Sequence, residues 1–166
     1  SLLSISPSES KESTKPQALF EKILSRHLLN TDATSSTPKA GDGAFVQADL
    51  RFIDEYYTGM CAHMLHRAFG NPLKLKDPES IVVFEDHTSY VAQSPAHVRG
   101  GLVSNVAAMR QAQRDFVAQY GLKMHRTLTE DEALKDDGTN VAGISHAMVA
   151  ERYALPGQIV VGTDSH

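Results

Sequence analysis

Two short β-branched runs constrain this chain more than any other feature. Ile81-Val82-Val83-Phe84 leads into Glu85-Asp86-His87, and Gln158-Ile159-Val160-Val161 leads into Gly162-Thr163-Asp164-Ser165-His166. A short continuous apolar run, without alternation, suits a strand buried on both faces of a parallel sheet. Parallel strands need crossover connections between them, which selects an α/β fold. In open parallel sheets ligands bind beyond the carboxyl ends of the strands, where both Asp/His clusters fall.

The rest of the chain supplies the crossovers. Leu102, Val106, Met109, Phe116 and Tyr120 fall at helical spacing and predict one long amphipathic helix over 98–120, closed by Gly121 in the left-handed region. Leu122 to Leu128 returns as a strand, and Thr129 with Glu132 has capping-box spacing for a brief helix. Earlier, Ala18, Leu19, Ile23, Leu24 and Leu28 make a helical face, residues 31–43 a polar loop and Ala44 to Ile53 a strand. Met60, Met64 and Leu65 predict a helix ending near Gly70-Asn71-Pro72, and Ala147 to Tyr153 a short helix before the Pro156-Gly157 turn. The expected architecture is three-layered, with a mainly parallel sheet and helices on both faces. Residues 1–17 are read as a flexible tail and 18–166 as the α/β domain.

Composition excludes several classes of function. The 166 residues carry a net charge of −4 and no basic patch, which argues against nucleic acid. No apolar run approaches the roughly 18 residues of a membrane span. The single cysteine, Cys61, rules out an intrachain disulfide and cannot alone hold an iron-sulfur cluster; on an apolar helix it reads as a core thiol. An intracellular protein of the cytoplasm or mitochondrial matrix is expected.

Most of the eight histidines have plain readings. His63 and His66 sit three apart on a helix, suiting surface or packing roles, and His27, His97 and His125 stand alone among polar neighbours. Asp86-His87, His146 at a helix start and the Asp164-Ser165-His166 triplet are different, because the fold draws them to one sheet edge. A carboxylate beside an imidazole fixes its tautomer and raises its pKa, giving a proton donor suited to a leaving hydroxyl. Helix capping is the other common use of such aspartates, and spacing leaves both open. Ser165 lacks a nucleophile elbow, and Gly100-Gly101 lacks phosphate-loop spacing.

The run Gly143-Ile144-Ser145-His146, Glu151, Pro156-Gly157 and Val161-Gly162-Thr163-Asp164-Ser165-His166 resembles the signature of the large chain of the aconitase and isopropylmalate-isomerase family. Asp86-His87 resembles the family's earlier Asp-His pair, and Ala18 to Ile53 its opening helix and strand. The resemblance implies an iron-sulfur hydro-lyase that reversibly dehydrates and rehydrates a small hydroxy polycarboxylic acid around a [4Fe-4S] cluster. It further implies that His87 with Asp86 protonates the departing hydroxyl, that His146, Asp164 and His166 order water and substrate, and that Ser165 binds a substrate carboxylate.

Two departures leave the acid unspecified: Asp54 to Met60 contains no glutamine where the family has one, and Ala147 replaces another. The cluster cysteines are expected on polypeptide outside this chain, which is then an incomplete piece of a larger fold, inactive and aggregation-prone alone. A non-catalytic aconitase-like binding module is the alternative. A zinc hydrolase using His87, His146 and His166 ranks third.

Overall fold

The computed structural model describes residues 16–29, 38–89, 91, 94–101, 103–128, 130–135 and 143–164. Four parallel strands, β1 (Leu50–Asp54), β2 (Ile81–Phe84), β3 (Lys123–His125) and β4 (Val160–Gly162), form one sheet in the order β3-β2-β1-β4. The helices are α1 (Leu19–His27), α2 (Glu55–Phe69), α3 (Pro95–Arg99), α4 (Val103–Tyr120), α5 (Glu130–Ala133) and α6 (Ser145–Arg152). The expected α/β class with a parallel sheet flanked by helices is what the chain adopts.

The order of the strands dictates where the helices lie. Crossovers β1-α2-β2 and β2-α4-β3 step in one direction, so the right-handed rule puts α2 and α4 on one face. There the two helices meet: His66 Nε2 lies 2.7 Å from the Tyr120 hydroxyl, and Gln113 donates to Thr58 Oγ1 at 3.2 Å. The last crossover runs back past β1, which sends α6 to the opposite face. Leu50, Val82 and Phe84 form the core there with Met148 and Val149 of α6, joined by Phe52, Tyr153 and Val160.

Compact units divide the chain at Val46 and Gln47. The first contains α1, started by the Ala18 amide on the Glu21 carboxylate at 2.8 Å, and an isolated antiparallel bridge between Leu28 and Val46. The face expected of α1 is only partly covered: Ile23, Leu24 and Leu28 are half-buried, whereas Leu19 is exposed.

Several expected boundaries are corrected. The strand foreseen over 44–53 begins at Leu50, because Phe45 is exposed and its carbonyl accepts the Leu29 amide within the first unit. The single helix foreseen over 98–120 is two, since Gly101 takes φ +72°, outside helical space, between α3 and α4; Leu102 lies outside the described residues. β3 is shorter than 122–128, spanning Lys123–His125, and the Arg126 side chain just beyond it pairs with Glu132. Strand β4 runs from Val160 rather than Gln158, and α6 starts at Ser145 rather than Ala147. Met60, Met64 and Leu65 lie on the exposed side of α2, and Cys61 is half-buried rather than core. The capping box foreseen at Thr129 and Glu132 involves Thr129, outside the described residues.

His125 does not stand alone among polar neighbours. It is buried, stacked on Phe84 at 5.2 Å, with Nε2 2.5 Å from the Tyr153 hydroxyl. Its Nδ1 has no partner, so a second ring proton would be a buried, unpaired donor. Burial, then the nearby Lys123 and Arg152, push its pKa below the ordinary 6.5. Its neutral form therefore contributes stability above about 6.5 that is lost as the pH falls toward the folded-state value, because the unfolded chain takes the proton first. Thermal stability should decline below about pH 6.5, and His125→Phe should flatten that acid-side slope. An unchanged slope would contradict the assignment.

Gly162 is required by a close approach. A Cβ there would fall 2.3 Å from Phe52 Cζ, the ring directly across the β1–β4 ladder. Gly162→Ala should cost about 1–3 kcal/mol of stability by overpacking. Phe52→Leu should relieve part of that cost in a double-mutant cycle; strict additivity of the two would show that the contact is absent.

Candidate active site

The direction of strand order reverses between β1 and β4, and the carboxyl ends of all four strands lie at one sheet edge. A crevice opens at such a reversal because the flanking crossovers depart to opposite faces. The residues that follow β1, β2 and β4 meet there with the first turn of α6.

His87 is the centre of the arrangement. Its Nδ1 lies 2.8 Å from Asp86 Oδ1, and its Nε2 lies 3.3 Å from Asp164 Oδ2. His146 Nε2 is 3.8 Å from the same Asp164 oxygen. The second oxygen of Asp86 accepts the backbone N–H of Ser145 at 2.7 Å, so this aspartate caps α6 and orients His87 at once. Ring contacts hold the imidazoles: Tyr56 meets His87 edge to face at 5.3 Å, and Phe52 meets His146 likewise at 5.3 Å.

Charge at this edge is uneven. Burial works against a charged His87, but the hydrogen bond to Asp86 and the negative charges of Asp86, Asp54 and Glu55 outweigh it, holding its pKa above 6.5. Asp54 is 2% exposed, and burial raises its carboxyl pKa despite the Tyr56 amide it caps at 2.8 Å and the nearby His87. A protonated His87 facing carboxylates on both sides can release one proton and recover it, which is what a general acid-base group must do.

Asp86, His87, His146 and Asp164, singled out in the sequence, are thus brought together. Ser165 and His166 lie outside the described residues. Sequence reasoning missed Asp54 and Glu55, where only a missing glutamine was noted. The signal was present: Asp54-Glu55 follows an apolar strand and opens a helix, as Asp86 follows β2. Glu55 is fully buried and accepts the amides of Asp86 (3.1 Å) and Thr88 (2.7 Å) and the Thr88 hydroxyl (2.7 Å). Also missed was the polar inner side of α4. Gln113 donates to the Phe84 carbonyl at 3.0 Å, and Arg114 pairs with buried Glu85 at 2.8 Å.

Donor atoms of Asp54, His87 and Asp164 lie within 4.8 Å of one another, as do those of Glu55, Asp86 and His87. These oxygens and nitrogens mostly engage each other or backbone amides. A [4Fe-4S] cluster is held by cysteine thiolates. The sequence offers Cys61 alone, on α2, where burial and then the Asp54 charge push the thiol pKa up and disfavour the thiolate. The residues of this chain do not fit such a cluster as its ligands.

No protein-family model matches the chain. Among curated proteins, it is 29% identical over 149 residues to the chloroplastic 3-isopropylmalate dehydratase large subunit of Arabidopsis thaliana, covering 89% of this chain and 26% of that protein. It is 30% identical over 148 residues to a probable 3-isopropylmalate dehydratase large subunit of Methanothermobacter thermautotrophicus, covering 88% of this chain and 28% of the relative. A probable methanogen homoaconitase large subunit from that organism is 31% identical over 98 residues, 58% of this chain and 18% of that protein. The chain therefore spans little more than a quarter of the curated relatives it matches along most of its length. With its parallel sheet and these relatives in agreement, the chain is consistent with a part of a large chain of the aconitase and isopropylmalate-isomerase family.

Proposed function

We propose that this chain supplies acid-base residues to a hydro-lyase that reversibly dehydrates a small hydroxy polycarboxylic acid, isomerising it by dehydration and rehydration. The observation that carries the reading is His87, set between Asp86 and Asp164 where the strand order reverses, with its pKa held above the ordinary 6.5. Such a group serves one half of an elimination of water. As the C–O bond breaks, its electron pair goes to the oxygen, and His87 donates the Nε2 proton that completes the leaving water. The proton on the adjacent carbon is taken by a base on other polypeptide. In hydration, neutral His87 accepts the proton of the attacking water.

The surrounding residues serve that transfer. Asp86 fixes the tautomer from Nδ1, so the mobile proton is on Nε2. Asp164 faces both Nε2 atoms, which lets it steer His87 and His146 toward the same bound oxygen. By family resemblance His166 assists this ordering and Ser165 takes a substrate carboxylate.

A [4Fe-4S] cluster fits the family reading only with ligands from polypeptide outside this chain, the remaining part of the enzyme being a second polypeptide or a further segment. The relatives' names speak of large subunits, which favours a partner subunit. Nucleic acid and membrane are not proposed partners; among the described residues no helix is long and apolar enough to cross a membrane. Cytoplasm or mitochondrial matrix is the proposed compartment.

His87→Ala in the complete enzyme should lower kcat by about 10²–10⁴-fold with a smaller change in KM, the range for loss of a general acid. Asp86→Asn should move the basic limb of the kcat–pH profile to lower pH. An unchanged dehydration rate for His87→Ala would show that His87 is not the proton donor.

A further inference from the structure

We propose that Glu55 is a positioning residue for His87, gripping the backbone on both sides of it. The proposal rests on the reading of His87 as proton donor. One Glu55 oxygen accepts the amide of Asp86, immediately before His87; the other accepts the amide and hydroxyl of Thr88, immediately after it. Glu55 is fully buried, so these N–H and O–H donors take the place of water around its carboxylate. Each bond to a charged acceptor is stronger than a neutral one, and the two amides lie two residues apart, one on each side of His87.

The other side of the same turn is held by α4. Arg110 Nε donates to Thr88 Oγ1 at 3.0 Å, and its Nη2 donates to the Thr88 carbonyl. Arg110 also pairs with Glu85 Oε1 at 3.3 Å, and Arg114 donates to both Glu85 oxygens. Residues 85, 86 and 88 are thus anchored, and His87 is left as the side chain aimed at Asp164. A merely structural role for Glu55, tying α2 to the sheet, would not require bonds flanking the proposed proton donor. A catalytic imidazole displaced by about 1 Å can lose a hundredfold in rate, which makes such a grip consequential.

Glu55 also acts by charge. The groups facing His87 are Asp86 beside it, Asp54 and Glu55 at the β1–α2 junction, Asp164 beyond β4, and His146 of α6 through Asp164. Removing one negative charge from that set makes the imidazolium less favourable.

The test compares Glu55→Gln, Glu55→Asp and His87→Ala in the complete enzyme. Gln keeps the shape, but its NH2 faces a donor it cannot accept from, and the charge is gone. Glu55→Gln should lower kcat about tenfold to a hundredfold with KM within about twofold, and shift the basic limb of the pH profile to lower pH. Glu55→Asp, which keeps the charge, should return that limb toward the parent position. If His87→Ala is inactive while Glu55→Gln keeps the parent kcat and pH profile, the positioning role is overturned. If His87→Ala is fully active, the proton-donor reading fails instead. Should Glu55→Gln not assemble, Thr88→Val removes one of the donors to Glu55; about a fivefold fall in kcat at constant KM is expected, and no fall would overturn the role.

Discussion

The Asp86 carboxylate is the bond on which the sheet edge depends. With one oxygen it takes His87 Nδ1, and with the other the first amide of α6. A carboxylate at a helix N-terminus is favoured by the amides it satisfies and by the helix dipole. A helix on one face of the sheet is thereby latched to the end of β2, and His146 arrives beside Asp164 because Ser145 is held. Helix capping and imidazole orientation, which look like competing uses of an aspartate in a sequence, are here two oxygens of one side chain.

The same edge gathers acidic groups that would be costly to bury without partners, and each has its own compensation. Glu85 is neutralised by Arg110 and Arg114 from α4. Glu55 is satisfied by two amides and a hydroxyl. Asp54 caps α2 and faces His87. His87 is the cation shared by the remaining carboxylates, which is why its pKa rises although burial opposes its charge. Structure and chemistry meet in that one charge: the proton that balances the buried carboxylates is the proton proposed to move.

The parts of this arrangement legible in the sequence were those written in local pattern. Ile81 to Phe84 has no alternation and is a strand buried among neighbours; Gly121 takes φ +62° at the end of α4. Asp86, His87, His146 and Asp164 were findable because strand ends precede them. Less legible were features decided by tertiary contact. The inner side of α4 presents Arg110, Gln113 and Arg114 to buried acceptors, which no hydrophobic spacing reveals. Met60 and Met64 fit a helical stripe and face solvent, since the buried side of α2 carries Glu55 and Thr58. Asp54-Glu55 lacks the family's glutamine, but its position after a strand carries the same message as Asp86.

The central claim is that His87 holds its second proton to higher pH than a free imidazole because of the Asp86 hydrogen bond and the charges of Asp86, Asp54 and Glu55. Nitrogen-15 chemical shifts of labelled histidine, followed across pH in the complete protein and assigned by the loss of signal in His87→Asn, measure this directly. The account predicts that the His87 ring loses its second proton at a pH above the ordinary 6.5. A His87 that loses that proton at or below 6.5 would contradict it.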